Sequence, residues 1–490
     1  MAEIRAEMSM ARAAVEAARR AGADYADARA THKRSQLFRV RNGQTESVQD
    51  KVDMGLGVRV LLRGAWGFAA RAVNSEGEVE SVALEAVQVA RASAMVPSPD
   101  AGPSGSLLGM EQAARGAWRS KFQVDPFEMA DGKKIEPLLE ADEAMRRVNK
   151  VKVAVGTVNF MRERKFFASS EGSEIEQERI ESGAGVEAVA LANGEMQTRS
   201  YPNNFGQHLV GGYEVIAGMN LSAGAERAAK EAVELLYAPP CPSTETAVIL
   251  SSSQMVLQIH ESCGHPTELD RVFGTEASYA GTSFLTPDKL GSFRYGSRLV
   301  NLVADATAEG GVGSFGYDDE GVPAQREYLV KEGIFTGYLM SRETALRLGR
   351  KSNGCMRAES WNRLPIIRMT NISLEPGDCT LEEMIADTKQ GIYMDTNRSW
   401  SIDDVRLNFQ FGCELAREIE NGKLGRVLKN PTYHGVTPEF WNSCDAVGNA
   451  SEWRLWGLLS CGKGEPVQSA HVGHGSAPAR FRNVRVGIVS

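Results

Sequence analysis

His260, Glu261 and His265 lie within one short segment, His260-Glu261-Ser262-Cys263-Gly264-His265. Two imidazoles can hold a divalent metal, and a carboxylate beside them can carry a proton. The pattern H-E-x-x-x-H is one residue longer than the H-E-x-x-H that puts two ligands on one helical face. At about 100° per residue, positions four apart lie about 40° from eclipsed and positions five apart about 140°. His260 and His265 therefore cannot share a face of an unbroken α-helix. Gly264 permits a helix-ending conformation, and a residue before proline, here His265 before Pro266, is pushed out of the α region. A π-bulge would serve equally well. The helix expected over 253–261 should stop, kink or bulge near Gly264.

A catalytic zinc needs three protein ligands and a position open to water. The ion lowers the pKa of that water toward about 7 and polarises a substrate carbonyl. Glu261, directly after the first imidazole, is placed to take the proton and pass it to a leaving amine. Spacing leaves the third ligand open: Glu268, Asp270, Cys263, Cys444, Cys461, His471 and His474 all qualify by type.

The elements that must position these groups fall into two parts. In the first, a helix is expected over 6–20 and a strand over 25–40, turning at Asn42-Gly43. A second hairpin, 55–62 with 66–69, turns at Arg63-Gly64. A helix over 79–93 places Val82, Ala83, Ala86, Val89 and Ala90 on one face. The stretch 97–109, rich in Pro, Gly and Ser, reads as a loop. A helix over 136–148, strands over 151–161, 166–168 and 175–179, and a helix over 223–236 follow. Three prolines within 238–242 preclude helix or central strand, which sets a boundary between domains 1–238 and 239–490. Beyond it come a strand at 248–250, a hairpin of 326–330 with 334–340, and strand-like sequence over 364–374. The fold class is α+β, with an N-terminal domain of sheet plus helices and a mainly antiparallel β C-terminal domain carrying the metal site.

A chain of 490 residues, 42% hydrophobic, can bury more than one core. Its formal net charge of -8 argues against general affinity for nucleic acid or anionic membranes. The first twenty residues lack the apolar core of an export signal, and no apolar run is long enough to span a membrane. Seven cysteines without a C-x-x-C pair do not form a disulfide framework and suit a reducing cytoplasm.

The chain resembles the TldD branch of the TldD/PmbA metallopeptidases, once described as modulators of DNA gyrase. The likeness rests on Gly22-Ala23-Asp24-Tyr25-Ala26-Asp27, the 55–60 and 67–69 segments, the run 260–270 (HESCGHPTELD), Tyr317-Asp318-Asp319-Glu320-Gly321 and Ser460-Cys461-Gly462-Lys463-Gly464. The resemblance implies one zinc per chain held by His260, His265 and Cys461, with Glu261 as the catalytic glutamate. It further implies hydrolysis of small or unfolded peptides in a dimer cavity, the dimer being a homodimer or a heterodimer with a paralogue lacking the motif. Two other readings are a regulatory subunit with structural zinc and an enzyme maturing a peptide product.

Cysteine at position 461 suits zinc chemically, and Lys463 could lower its thiol pKa. Cys263 reads as core packing. Asp318-Asp319-Glu320 reads as a solvated acidic turn, and His471 and His474 as loop histidines with ordinary backbone bonds. His434 and Tyr433 carry the same ambiguity, and His32-Lys33-Arg34 reads as a solvated strand end. Gly310-Gly311-Val312-Gly313 lacks the context of a phosphate loop, so no nucleotide cofactor is expected.

Overall fold

The computed structural model describes residues 2–73, 75–96 and 111–487; the expected loop at 97–109 lies outside them. The fold is mixed α/β. Its first half is an eight-stranded sheet of β1 (Tyr25–Arg41), β2 (Gln44–Leu62), β3 (Ala65–Arg71), β4 (Arg115–Arg119), β5 (Val151–Ser169), β6 (Glu174–Ala192), β7 (Glu195–Tyr201) and β8 (Gln207–Val210). The order is β3-β2-β1-β5-β6-β4, with β7 and β8 also on β6, and only β4 runs parallel to its neighbour. The expected turn at Asn42-Gly43 has φ of 48° and 80°, as a two-residue hairpin of this hand requires. The strands expected at 151–161 and 166–168 are one continuous strand.

One face of this sheet is apolar. Ala26, Ala28 and Ala30 on β1 and Leu56, Val58 and Val60 on β2 pack against helices α1 (Ala2–Arg20) and α2 (Glu76–Ser93). On α2, Val82, Ala83, Ala86 and Ala90 are buried as expected and Val79 and Val87 join them, whereas Val89 is 41% exposed. Helices α3 (Asp131–Arg146), α4 (Glu214–Ala217) and α5 (Leu221–Tyr237) cover the rest of that face. The other face is ionic. Asp27 and Arg29 alternate with the alanines of β1, as the two-residue period of a strand dictates, and both are buried. Arg59 bridges Asp27 and Glu320, and Arg29 and Lys165 meet Asp319. The run Asp318-Asp319-Glu320 is therefore a buried ionic junction between the halves, not a solvated turn. His32-Lys33-Arg34 likewise sits in mid-strand, with Arg34 paired to Asp50.

The second half begins with β9 (Thr244–Leu250) and α6 (Ser252–Ile259). A four-stranded sheet of β10 (Leu302–Asp305), β11 (Arg326–Lys331), β12 (Ile334–Phe335) and β15 (Ile372–Leu374) flanks it, with the pair β13 (Met356–Arg357) and β14 (Ile366–Ile367) nearby. The expected 326–340 hairpin exists, but its return strand is only Ile334–Phe335, and 364–374 holds two short strands in separate sheets. β16 (Gln390–Ile402), β17 (Asn408–Glu420), β18 (Lys423–Leu428), β19 (Thr432–Val436), β20 (Cys444–Val447) and β23 (Ala479–Val486) complete the structure together with the hairpin β21 (Arg454–Lys463) and β22 (Gln468–Ser476). The path β16-β9-β23-β19-β17 closes through β17 pairing back to β16, which gives a barrel. Only β9 and β16 pair in parallel within it.

Candidate metal centre

Helix α6 starts where the Ser251 hydroxyl caps the Gln254 amide at 3.1 Å. Every residue from Ser252 to Ile259 is buried, so its polar side chains need partners. Tyr433 accepts from Gln254 and donates to Gln258, while Trp441 donates to Ser262. Tyr433 thus supports the helix instead of acting at the site.

His260–Gly264 is a π-helical turn, closed by the His265 amide donating to the His260 carbonyl five residues back. The wider turn brings positions five apart onto one side, and the two imidazole centroids lie 4.8 Å apart. Of the alternatives left open by the sequence, the bulge is the one adopted. Gly264 keeps helical angles, φ −56° and ψ −66°, and His265 stays in the α region despite Pro266. Glycine is needed at 264 for space: a Cβ there would stand 2.3 Å from the Met369 sulfur.

Cys461 comes from β21, opposite Ala470 on β22, and is 2% exposed. It lies on a strand. Its Sγ is 3.8 Å from His265 Nε2, and donor atoms of His260, His265 and Cys461 lie within 4.8 Å of one another. Tetrahedral zinc with ordinary Zn–N and Zn–S lengths sets such donors about 3.4–3.6 Å apart, so one ion would draw the three atoms closer together.

The hydrogen bonds around the imidazoles select their tautomers. His474 Nδ1 donates to the Ile372 carbonyl at 3.1 Å, which leaves its Nε2 as an acceptor. His260 Nδ1 donates to that nitrogen at 2.8 Å, so His260 Nε2 carries a lone pair. His265 Nδ1 donates to Glu268 at 2.9 Å and frees its own Nε2 in the same way. Burial drives the pKa of His260 below its ordinary value, and those of His265 and His474 well below. Burial would raise the Cys461 thiol, but Arg368 and His265 outweigh it and lower its pKa. Neutral imidazoles and an acidified thiol are the forms that bind zinc.

Lys463 does not act on the thiol. Its ammonium contacts Asp270 at 2.7 Å and the Ile367 carbonyl at 2.7 Å, and the cation acting on Cys461 is Arg368. Asp270 is engaged by Lys463, and Glu268 supports His265. Cys263 lies in the apolar core, where burial raises its thiol pKa, and Cys444 is buried beside β23. His471 and His474 both lie on β22, not in a loop. His471 faces the N-terminal sheet and pairs with Glu181, on the edge of a 260 Å³ cavity also lined by Lys33, Gln36, Met161 and His208. His434 lies on β19, and its Nδ1 is buried without a partner among the described residues. Glu261 is 5% exposed and accepts from Arg406 at 2.7 Å. Sequence reading missed Arg406 and undervalued His474; neither lies at motif spacing from its partner.

Residues 26–94, 124–236 and 243–487 match domain 1, the central domain and the C-terminal domain of the PmbA/TldA metallopeptidases. A metalloprotease of Methanocaldococcus jannaschii is 33% identical over 93% of this chain and 96% of its own. A zinc metalloprotease TldD homolog of Saccharolobus solfataricus is 25% identical over 50% of this chain and 52% of its own. Among solved structures, TldE from Thermococcus kodakarensis superposes with a TM-score of 0.74 over 97% of this chain and 99% of that one, at 16% identity. With matches along both halves and the two-histidine, one-cysteine cluster seated in the C-terminal match, the chain belongs to the PmbA/TldA metallopeptidase family.

Proposed function

We propose that this chain is a zinc peptidase hydrolysing small or unfolded peptides, with domain 239–490 carrying the centre and domain 1–238 walling the cavity of a dimer. His260, His265 and Cys461 would hold one ion, whose chemistry when bound is Lewis acidity toward water and toward a peptide carbonyl. The observation that carries the reading is the convergence of two imidazoles, each with its other nitrogen engaged, and one acidified thiol beside Glu261. Glu261 accepts a proton from the attacking water and delivers it to the leaving amine. His474 and Glu268 hold the imidazoles in the required tautomers, and Arg368 favours the thiolate.

A structural zinc would call for a fourth protein donor. Cys263 is turned into apolar packing and His471 toward Glu181, and three donors gather among the described residues, which supports an open position. The test is Glu261→Gln in the full chain, assayed for zinc by mass spectrometry and for cleavage of an unstructured peptide mixture, with and without a motif-less paralogue. Retained zinc with cleavage lowered about 10²–10⁴-fold is expected. Parental cleavage by the variant would sink the role of Glu261.

A further inference from the structure

The turn joining β16 to β17 reaches Glu261 from outside the motif. Arg406 Nη1 donates to Glu261 Oε2 at 2.7 Å, and Nη2 reaches the Ala280 carbonyl at 3.4 Å. Both charged side chains are largely buried, 14% and 7% exposed, so the pair is shielded from competing water. The other carboxylate oxygen, Oε1, accepts no hydrogen bond from the described residues and is the one left for a proton in transit.

Arg406 holds this position from an unfavourable backbone. Its φ is +64°, in the left-handed region that a long side chain rarely adopts. The turn enforces it. The Arg406 amide donates to the Asp403 carbonyl at 2.9 Å, and the Asp403 carboxylate takes the Leu407 and Asn408 amides at 2.7 and 3.1 Å. Thr437 donates to the Arg406 carbonyl at 3.0 Å. The segment following the site helix then clasps the turn: the Thr282 and Phe284 amides donate to the Asp404 and Val405 carbonyls at 2.8 and 2.9 Å. A strained residue overdetermined by its surroundings marks a place where geometry has been fixed at a local cost.

We propose that Arg406 is a positioning residue for Glu261, fixing one carboxylate oxygen so that the other faces the reacting water and leaving amine. The inference rests on the peptidase reading for its reaction but not for its contact. A guanidinium suits the task because it stays charged and cannot itself give up the proton that Glu261 must carry.

The test uses full-length Arg406→Ala and Arg406→Lys. Zinc content should match the parent, kcat should fall about 10–100-fold in the alanine variant with KM changed less than about threefold, and lysine should recover part of the loss. Added methylguanidinium should raise the activity of the alanine variant. Unchanged kcat, or a rise in KM alone, would overturn the positioning role. A second measurement is independent of catalysis: thermal midpoints of metal-free parent, Arg406→Ala, Glu261→Ala and the double variant. Non-additive shifts are expected, and additive ones would show that the contact is not made. If the zinc-loaded parent cleaves nothing while the shifts are non-additive, the peptidase reading fails and the clamp stands.

Discussion

The β21–β22 hairpin presents ionisable groups on both faces and treats them in opposite ways. Toward α6, Cys461 and His474 meet His265 and His260, and burial keeps the imidazoles neutral, with the Nε2 lone pairs of His260 and His265 left for a cation. Toward the N-terminal sheet, His471 meets Glu181, which Arg179 also contacts at 3.1 Å. Burial alone would raise the Glu181 carboxyl, but Arg179 and His471 hold it down at about 2. One face keeps its donors uncommitted, as cation binding requires. The other spends its charges on mutual pairing across the junction of the two halves, where breaking a pair costs more than making it gains.

The sharpest way to break this contrast is to exchange losses between the faces. Cys461→Ala should weaken zinc binding about a thousandfold or more, read by chelator competition. His471→Ala, ten residues along the chain, should leave zinc affinity at the parental level. Equal losses from both variants would mean that the hairpin does not separate the two sites.

The sheet-facing side should instead reveal itself through pH. Burial, helped by the nearby His471, lowers the pKa of His208 from 6.5 to about 4, and neither of its ring nitrogens has a partner among the described residues. Between those values the folded protein binds fewer protons than the unfolded chain, so stability rises with pH. The contribution is complete above about pH 6.5 and is lost as pH falls toward 4, amounting to about 3 kcal/mol. In urea titrations from pH 4 to 7, the stability difference between parent and His208→Leu should shift in the parent's favour by about that amount as pH rises. A pH-independent difference would place a charged His208 in the fold. A smaller effect is expected on the metal side from His474→Ala, which removes the tautomer-setting partner of His260 and should weaken zinc about 10–100-fold.

These groups were not equally legible in the sequence. The spacing of His260 and His265 demanded a helix that ends or distorts, and geometry alone left a stop, a kink or a bulge open, because five residues cannot close on one side otherwise. The hairpins at Asn42-Gly43 and Arg63-Gly64 were readable because left-handed backbone has few suitable residues. The acidic run at 318–320 misled, since a carboxylate cluster looks solvated until the cations that bury it, Arg29, Arg59 and Lys165, arrive from more than 150 residues away in the chain. His474 and Arg406 failed to stand out for the same reason: strand pairing and a distant turn deliver them, and neither leaves a local spacing to find.

Cys263 supplies the smallest and most discriminating contrast, because it lies inside the motif yet faces neither side of the hairpin's chemistry. Its thiol is fully buried among apolar side chains, and burial raises its pKa, which disfavours the thiolate a metal needs. Cys461 is buried to nearly the same degree but has Arg368 and His265 to offset the penalty, so what separates the proposed ligand from the core residue is electrostatic and not a matter of exposure. Cys263→Ala should therefore cost about 1 kcal/mol of stability from lost packing. Zinc affinity should be unchanged in the same competition assay that registers the loss in Cys461→Ala. A parallel fall in zinc affinity would make proximity in sequence, not the surrounding charges, the rule by which this centre recruits its sulfur.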